Sequence, residues 1–349
     1  MDLEGILAIA HERGASDIHL VSGEPPVIRI DTNLVRLEFP LLQPEEIREH
    51  LFVMLNDKQQ ETLKIHQDVD LSWETDRGRY RVNVHLQRGL PAIAMRTVKT
   101  TIPELDSLNL PPVIGPLAEL PRGLVLVTGD SGSGKSTTLA SLLQRINTTK
   151  HRHIITLEDP VEYVFTSDCC LVEQRELGRD MPSFASGLKH ALRQDPDIIF
   201  VGEMRDLETT SLAISAAETG HLVLSTLHTV NASQTVERIV DMYPANQQTQ
   251  IRSMLANTLK AVVSQTLLPK IGGGMVPAVE ILLCDPAVRN IIRESRTFEI
   301  PNVIETSGRK GMISRDASIA TLVFNGLVEL EVAVSHATDP KRLQMTLAA

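Results

Sequence analysis

Between residues 79 and 86 polar and apolar positions alternate. Tyr80, Val82, Val84 and Leu86 share one face, and Arg79, Arg81, Asn83 and His85 share the other. A period of two predicts a half-buried strand. LPAIAMRTV follows as its neighbour, with Arg88-Gly89 in the turn between them. The opening segment, LEGILAIAHERG, has helical spacing and a glycine that can stop it. Residues 1–98 therefore read as one mixed α/β domain.

Pro103, Pro111, Pro112 and Pro116 interrupt the next stretch. No continuous helix tolerates them, so residues 99–116 are expected to be a linker. From residue 117 the pattern becomes strand, helix, strand. LVLVTG precedes a helix from Lys135, and HIITLED precedes a helix near SFASGLKHALRQ. DIIFVGE precedes a helix near LETTSLAISAAETG, and HLVLSTLH closes the series. Such alternation predicts a parallel sheet with crossover helices, here a domain over residues 117–349. Its tail, residues 240–349, reads as a mostly helical subdomain.

A chain of 349 residues is long enough for these two domains. Its net charge of -10 and 3% aromatic content weigh against a basic, stacking surface for nucleic acid. Cys169, Cys170 and Cys284 form no CxxC pair, which argues against a zinc ribbon or a disulfide framework. Asp2 and Glu4 stand where a signal peptide needs positive charge. No apolar run approaches the roughly 18 residues of a membrane span. These features lead to the expectation of a reduced, cytoplasmic enzyme that meets a membrane only through a partner.

Candidate chemistry begins at GDSGSGKST. Gly129, Asp130, Ser131, Gly132, Ser133, Gly134, Lys135 and Ser136 satisfy GxxxxGK[ST] between a predicted strand and a predicted helix, and Thr137 follows. In such a loop the glycines let backbone N–H groups approach phosphates. Lys135 reaches the β and γ oxygens, and Ser136 ligates Mg²⁺. ATP or GTP with Mg²⁺ is the expected ligand. A phosphate loop alone serves switches, kinases and motors alike.

DIIFVGE narrows that range by ending a strand at Glu203, a candidate to polarise the attacking water. ITLEDPVEY sets Glu158, Asp159 and Glu162 after another strand, although paired carboxylates before a proline also cap helices. His221 and His228 bracket a third strand, where a structural role is equally open.

Taken together, these residues resemble the secretion-superfamily ATPases of type II secretion and type IV pili. Glu158-Asp159-Pro160 with Glu162 resembles that family's Asp box, and 197–206 its Walker B segment with Glu203 as catalytic glutamate. Residues 218–221 and 225–229 resemble its His box, and ASDIHL (15–20) and PPVIRID (25–31) also match. AVRNIIRE, residues 287–294, is similar to the AIRNLIRE motif of the family's pilus-retraction branch. Asp285-Pro286 before it reads as helix N-cap and N1. From spacing alone this segment is an ordinary amphipathic helix, with Ala287, Val288, Ile291 and Ile292 on its apolar face. The chain departs from the family at Asp130-Ser131, where Pro-Thr is usual.

The resemblance implies an N-terminal PAS-like domain, a C-terminal RecA-like P-loop NTPase domain, and a homohexamer. It implies a motor that spends ATP on drawing pilin back into the membrane by acting on an inner-membrane platform protein (PilC-like). Arg81 and Arg96 match family arginines that reach the phosphates from the N-terminal domain. Glu158 and Asp159 would join Ser136 in the metal and water network with Glu162. His228 would read the γ-phosphate, and His221 would tie nucleotide state to subunit contacts. Three rivals stand beside this reading: an accessory paralogue or assembly motor of the same superfamily, a nucleic-acid translocase, and a nucleotide-gated scaffold with little turnover.

Overall fold

A computed structural model describes residues 1–30, 33–98 and 101–348. Asp31, the last residue of PPVIRID, lies outside the described residues. So do Lys99 and Thr100, where the linker was expected to begin, and the terminal Ala349. The chain divides into two compact units, one of Met1–Thr101 with Glu162–Val164, the other of Ile102–Val161 with Phe165–Ala349.

The first unit contains α1 (Leu3–Glu12), β1 (Asp17–Val21), β2 (Val27–Ile30), β3 (Asn33–Arg36), α2 (Pro44–Met54), α3 (Asp57–His66), β4 (Asp68–Thr75), β5 (Gly78–Gln87) and β6 (Leu90–Thr97). Its six strands form an antiparallel sheet in the order β3-β2-β1-β6-β5-β4. The expected alternation on β5 is present. Tyr80, Val82 and Val84 are buried with Ile18, Leu20, Ile93 and Met95, while Arg81 faces out. Leu86, at the strand's end, is exposed. Arg88 and Gly89 make the β5–β6 turn, both with positive φ.

The second unit begins within the proline-rich stretch expected as the linker. Residues 105–108 and 112–119 form 3₁₀ turns, and Leu105, Ile114 and Leu117 are buried against the sheet that follows. The elements are then β7 (Gly123–Thr128), α4 (Lys135–Thr149), β8 (His153–Glu158), β9 (Leu171–Glu176), α5 (Phe184–Ala191), β10 (Ile198–Val201), α6 (Leu207–Thr219) and β11 (Leu222–Leu227). After them come α7 (Ala232–Asp241), α8 (Ala245–Thr258), β12 (Leu259–Pro269), β13 (Met275–Leu283), α9 (Pro286–Arg293), α10 (Ile300–Thr306), α11 (Arg315–Phe324), α12 (Leu330–His336) and α13 (Pro340–Ala348).

Seven strands form one sheet in the order β13-β12-β7-β11-β10-β8-β9. Its ladders are parallel from β12 to β9, and β13 alone runs antiparallel, on the edge. The sheet is thus mixed, where a parallel one was expected. The tail carries many helices but does not stand apart. β12 inserts beside β7, and β12 with β13 lengthens the main sheet. Apolar residues cover both faces. On β7, Leu124 and Leu126 pack into one core, and Val125 and Val127 into the other. A strand buried on both faces reads as a continuous apolar run, as LVLV does.

The expected N-cap of α9 is present: Asp285 accepts from the Val288 N–H at 3.0 Å, with Pro286 at the first helical position. Val288, Ile291 and Ile292 are buried. Ala287, expected with them, is exposed in the first turn of the helix.

Candidate nucleotide site

All chemistry expected in the second unit hangs from strand ends. β7 is buried throughout and leads into the loop 129–134. Gly129, Gly132 and Gly134 have φ of +140°, +78° and +87°, a region in which side chains are strained. Gly134 occupies the N-cap of α4, and no side chain among the described residues caps that helix. Its first-turn N–H groups therefore face the loop as an anion site. Lys135 is buried, and its ammonium donates to the carbonyls of Gly129 at 2.8 Å and Asp130 at 2.9 Å. Ser133 Oγ is buried with no hydrogen-bond partner among the described residues. An orphaned hydroxyl inside a glycine cradle at an uncapped helix end fits a triphosphate. Ser136 and Thr137, half-buried in the first turn, fit the expected contacts with metal and phosphate. Asp130 and Ser131 are exposed at the tip. At Asp130 the lysine meets the backbone carbonyl.

Two strands away, β10 delivers Glu203. Register fixes its height. Thr128 is opposite Leu227, and Val201 is opposite Ser225, so Glu203 stands level with Leu227 and the end of β7. At about 4.8 Å per strand it lies roughly 10 Å from the start of the phosphate loop. The turn around it is pinned on both sides. Gly202 N donates to Leu157 O at 2.7 Å, Thr226 Oγ1 donates to Gly202 O at 2.5 Å, and Met204 N donates to Thr226 O at 3.2 Å. The carboxylate reaches His228 Nε2 at 3.7 Å and accepts a hydrogen bond from Arg205 Nε. That bond raises the Arg205 pKa. Sequence reasoning passed over Arg205, although an arginine two residues after a strand-end glutamate was a readable signal.

The other expected residues separate. Glu158 was expected at the metal. It is buried instead, and its Oε1 accepts from Thr156 Oγ1 at 2.6 Å and Gln174 Nε2 at 3.0 Å. These bonds tie it sideways toward β9, and the register of β8 with β10 sets it level with Gly202, next to Glu203. Asp159 is exposed beyond the strand. Among the described residues no group of three or more His, Cys, Asp or Glu is arranged to hold a metal ion. A Mg²⁺ here would draw on Ser136 and the phosphates themselves, a common mode for this ion. His221 opens β11 while His228 follows its end. Six strand residues put about 20 Å between them. His221 backs onto α6, its Nδ1 2.9 Å from Ala216 O.

Arg81 and Arg96 belong to the first unit, and Glu162, exposed, is grouped with it. Within that unit the two arginines are direct cross-strand partners on β5 and β6. Arg96 Nε donates to Asp17 Oδ1 at 2.9 Å. Burial pushes the Asp17 carboxyl up, yet bonds from Arg96 and Ser16 outweigh it and hold the group below its ordinary value. Asp17, within ASDIHL, was not singled out in the sequence.

The family model described as type II/IV secretion system protein matches residues 2–310. The chain is 45% identical to the type IV pilus retraction ATPase PilT of Pseudomonas aeruginosa over 342 residues, 98% of this chain and 99% of that one. It is 45% identical over 320 residues to a twitching motility protein of Neisseria gonorrhoeae, covering 91% of this chain and 86% of the other. A crystal structure of the pilus retraction motor PilT with bound ADP superposes with a TM-score of 0.93 at 46% identity, over 99% of both chains. The resemblance carried by the phosphate loop, the strand-end acids and AVRNIIRE is borne out, and the chain belongs to the type II/IV secretion system protein family.

Proposed function

We propose that this chain is a motor that hydrolyses ATP to retract type IV pili. The observation that carries this reading is near-full-length identity of 45% to a pilus retraction ATPase, joined to a phosphate loop of the right shape. ADP bound in a relative of the same fold supports a nucleotide at that loop. Lys135 would exchange its two loop carbonyls for β and γ oxygens. Ser133 Oγ would gain the partner it lacks. Glu203, held by its pinned turn, would take the proton of the attacking water, and His228 beside it would sense the γ-phosphate. Mg²⁺ on Ser136, with Asp159 and Glu162 shaping the water around it, would neutralise charge on the transferring group.

In this reading the first unit is PAS-like and the second RecA-like, and six copies form a ring. Arg81 and Arg96 would supply positive charge to the phosphates, and Arg96 would then share itself with Asp17. The ring is cytoplasmic and meets the membrane through the inner-membrane pilus platform protein. Among the described residues no helix is long and apolar enough to cross a membrane.

Deletion of the gene tests the direction of work. Many surface pili on cells that no longer twitch are expected by electron microscopy. Bald cells would make the protein an assembly motor and overturn the reading. Phosphate release by the purified protein, compared with Lys135→Ala, separates a motor from a nucleotide-gated scaffold.

A further inference from the structure

Gln265 lies on β12, next to the strand that carries the phosphate loop, and is 3% exposed. Its amide meets that loop twice. Nε2 donates to the Ser133 carbonyl at 2.7 Å, and Oε1 accepts from the Thr138 hydroxyl at 2.9 Å. The orientation of the amide is forced, because a carbonyl only accepts and so must face the nitrogen. Ser133 sits in the loop, and Thr138 sits in the first turn of α4. One side chain therefore spans the junction at which phosphates are expected.

The glycines of the loop are shaped around this residue. A Cβ on Gly134 would lie 2.7 Å from Gln265 Nε2, and one on Gly129 would lie 2.2 Å from the Gln265 carbonyl oxygen. Real Cβ atoms do not approach so closely. Two of the motif's glycines thus make room for β12 as well as for a ligand.

A second side-chain tie to the loop comes from Lys135, bonded to the Gly129 and Asp130 carbonyls. A phosphate competes for that ammonium. When Lys135 turns to the ligand, the tie from Gln265 does not depend on it. We infer that Gln265 is a positioning residue for the nucleotide: its amide holds the Ser133 peptide and the start of α4 so that their N–H groups stay aimed at the phosphates after Lys135 lets go. The inference rests on the proposed nucleotide reading.

Full-length protein, mant-ADP binding and steady-state ATP hydrolysis test it. Gln265→Leu is expected to weaken mant-ADP binding roughly tenfold, the usual scale for losing buried hydrogen bonds. KM for ATP should rise by a similar factor with kcat within about twofold, because the tie supports ground state and transition state alike. Thr138→Val combined with Gln265→Leu should be no worse than Gln265→Leu alone, since both cut one connection. Gln265→Glu retains the acceptor for Thr138 and loses the donor to Ser133. With side-chain size kept, it and Thr138→Val carry the same test should the leucine variant fail to fold. Wild-type affinity in Gln265→Leu or Gln265→Glu, or a fall in kcat with KM unchanged, overturns the inference. If the wild-type protein binds no mant-ADP and releases no more phosphate than Lys135→Ala, the nucleotide reading itself falls and takes the inference with it.

Discussion

Glu203 has two partners of different use. Arg205 donates to its carboxylate, and His228 Nε2 stands 3.7 Å away. A general base must keep an oxygen available, and a pinned backbone keeps that oxygen in place. Glu203→Gln keeps the shape and removes the charge. Phosphate release is expected to fall by about 10²–10⁴-fold while mant-ADP affinity changes little. A Glu203→Gln protein with full turnover would remove this residue from the chemistry. Which residues matter at this scale was only partly legible. A glutamate after IIFVG marks a strand end by its apolar run. Nothing local reveals that Glu158, one strand further, is tied by Thr156 and Gln174, because Gln174 lies on β9, and LVEQRE shows no apolar pattern from which a strand could be predicted.

At the scale of elements, the phosphate loop and the strand beside it form one unit. Two glycines of similar φ separate backbone strain from crowding. Gly132 has φ +78° with nothing within 4 Å of an added Cβ, whereas Gly134 has φ +87° and would meet the Gln265 amide. Alanine at either position costs about 1–2 kcal/mol for the left-handed backbone. Only Gly134→Ala also displaces Gln265. Both variants should lose a few degrees of Tm, and Gly134→Ala should lose distinctly more nucleotide affinity. Equal affinity losses in the two would show that crowding at β12 has no part. The alternation of strand and helix from β7 to β11 was plain in the sequence because each apolar run is bounded by polar turns. β12 was hidden for the opposite reason. LKAVVSQTLLP is buried on both faces and shows neither a period of two nor one of 3.6. Its clue was a glutamine inside an apolar run, followed by the three glycines that turn the chain into β13.

Within the second unit, an ion pair joins the consecutive helices α7 and α8. Arg252 on α8 holds Glu237 on α7 through two hydrogen bonds of 3.1 and 2.7 Å, and Thr297 donates to the same carboxylate. The bond from Arg252, helped by Thr297 and opposed by burial, lowers the Glu237 pKa below its ordinary 4.5. An acid with a depressed folded pKa adds stability that is fully present above its unfolded pKa and is lost as pH falls through the folded one. Glu237→Gln should therefore lower the Tm near pH 7, and its gap to wild type should narrow as pH drops below about 4.5. A gap that stays constant into acid would mean the carboxylate charge contributes nothing to stability. This pairing was invisible in the sequence, since nothing in two helices' spacing says which of their charged residues will meet.

β11 joins the two histidines that the sequence set side by side as one motif. Its six residues are buried without exception, and each flank is hydrogen-bonded to a parallel strand. Such a strand cannot lengthen without breaking two ladders at once. It is a stiff strut of about 20 Å, and a push at the His221 end would be carried toward His228 with little lost to deformation along the way.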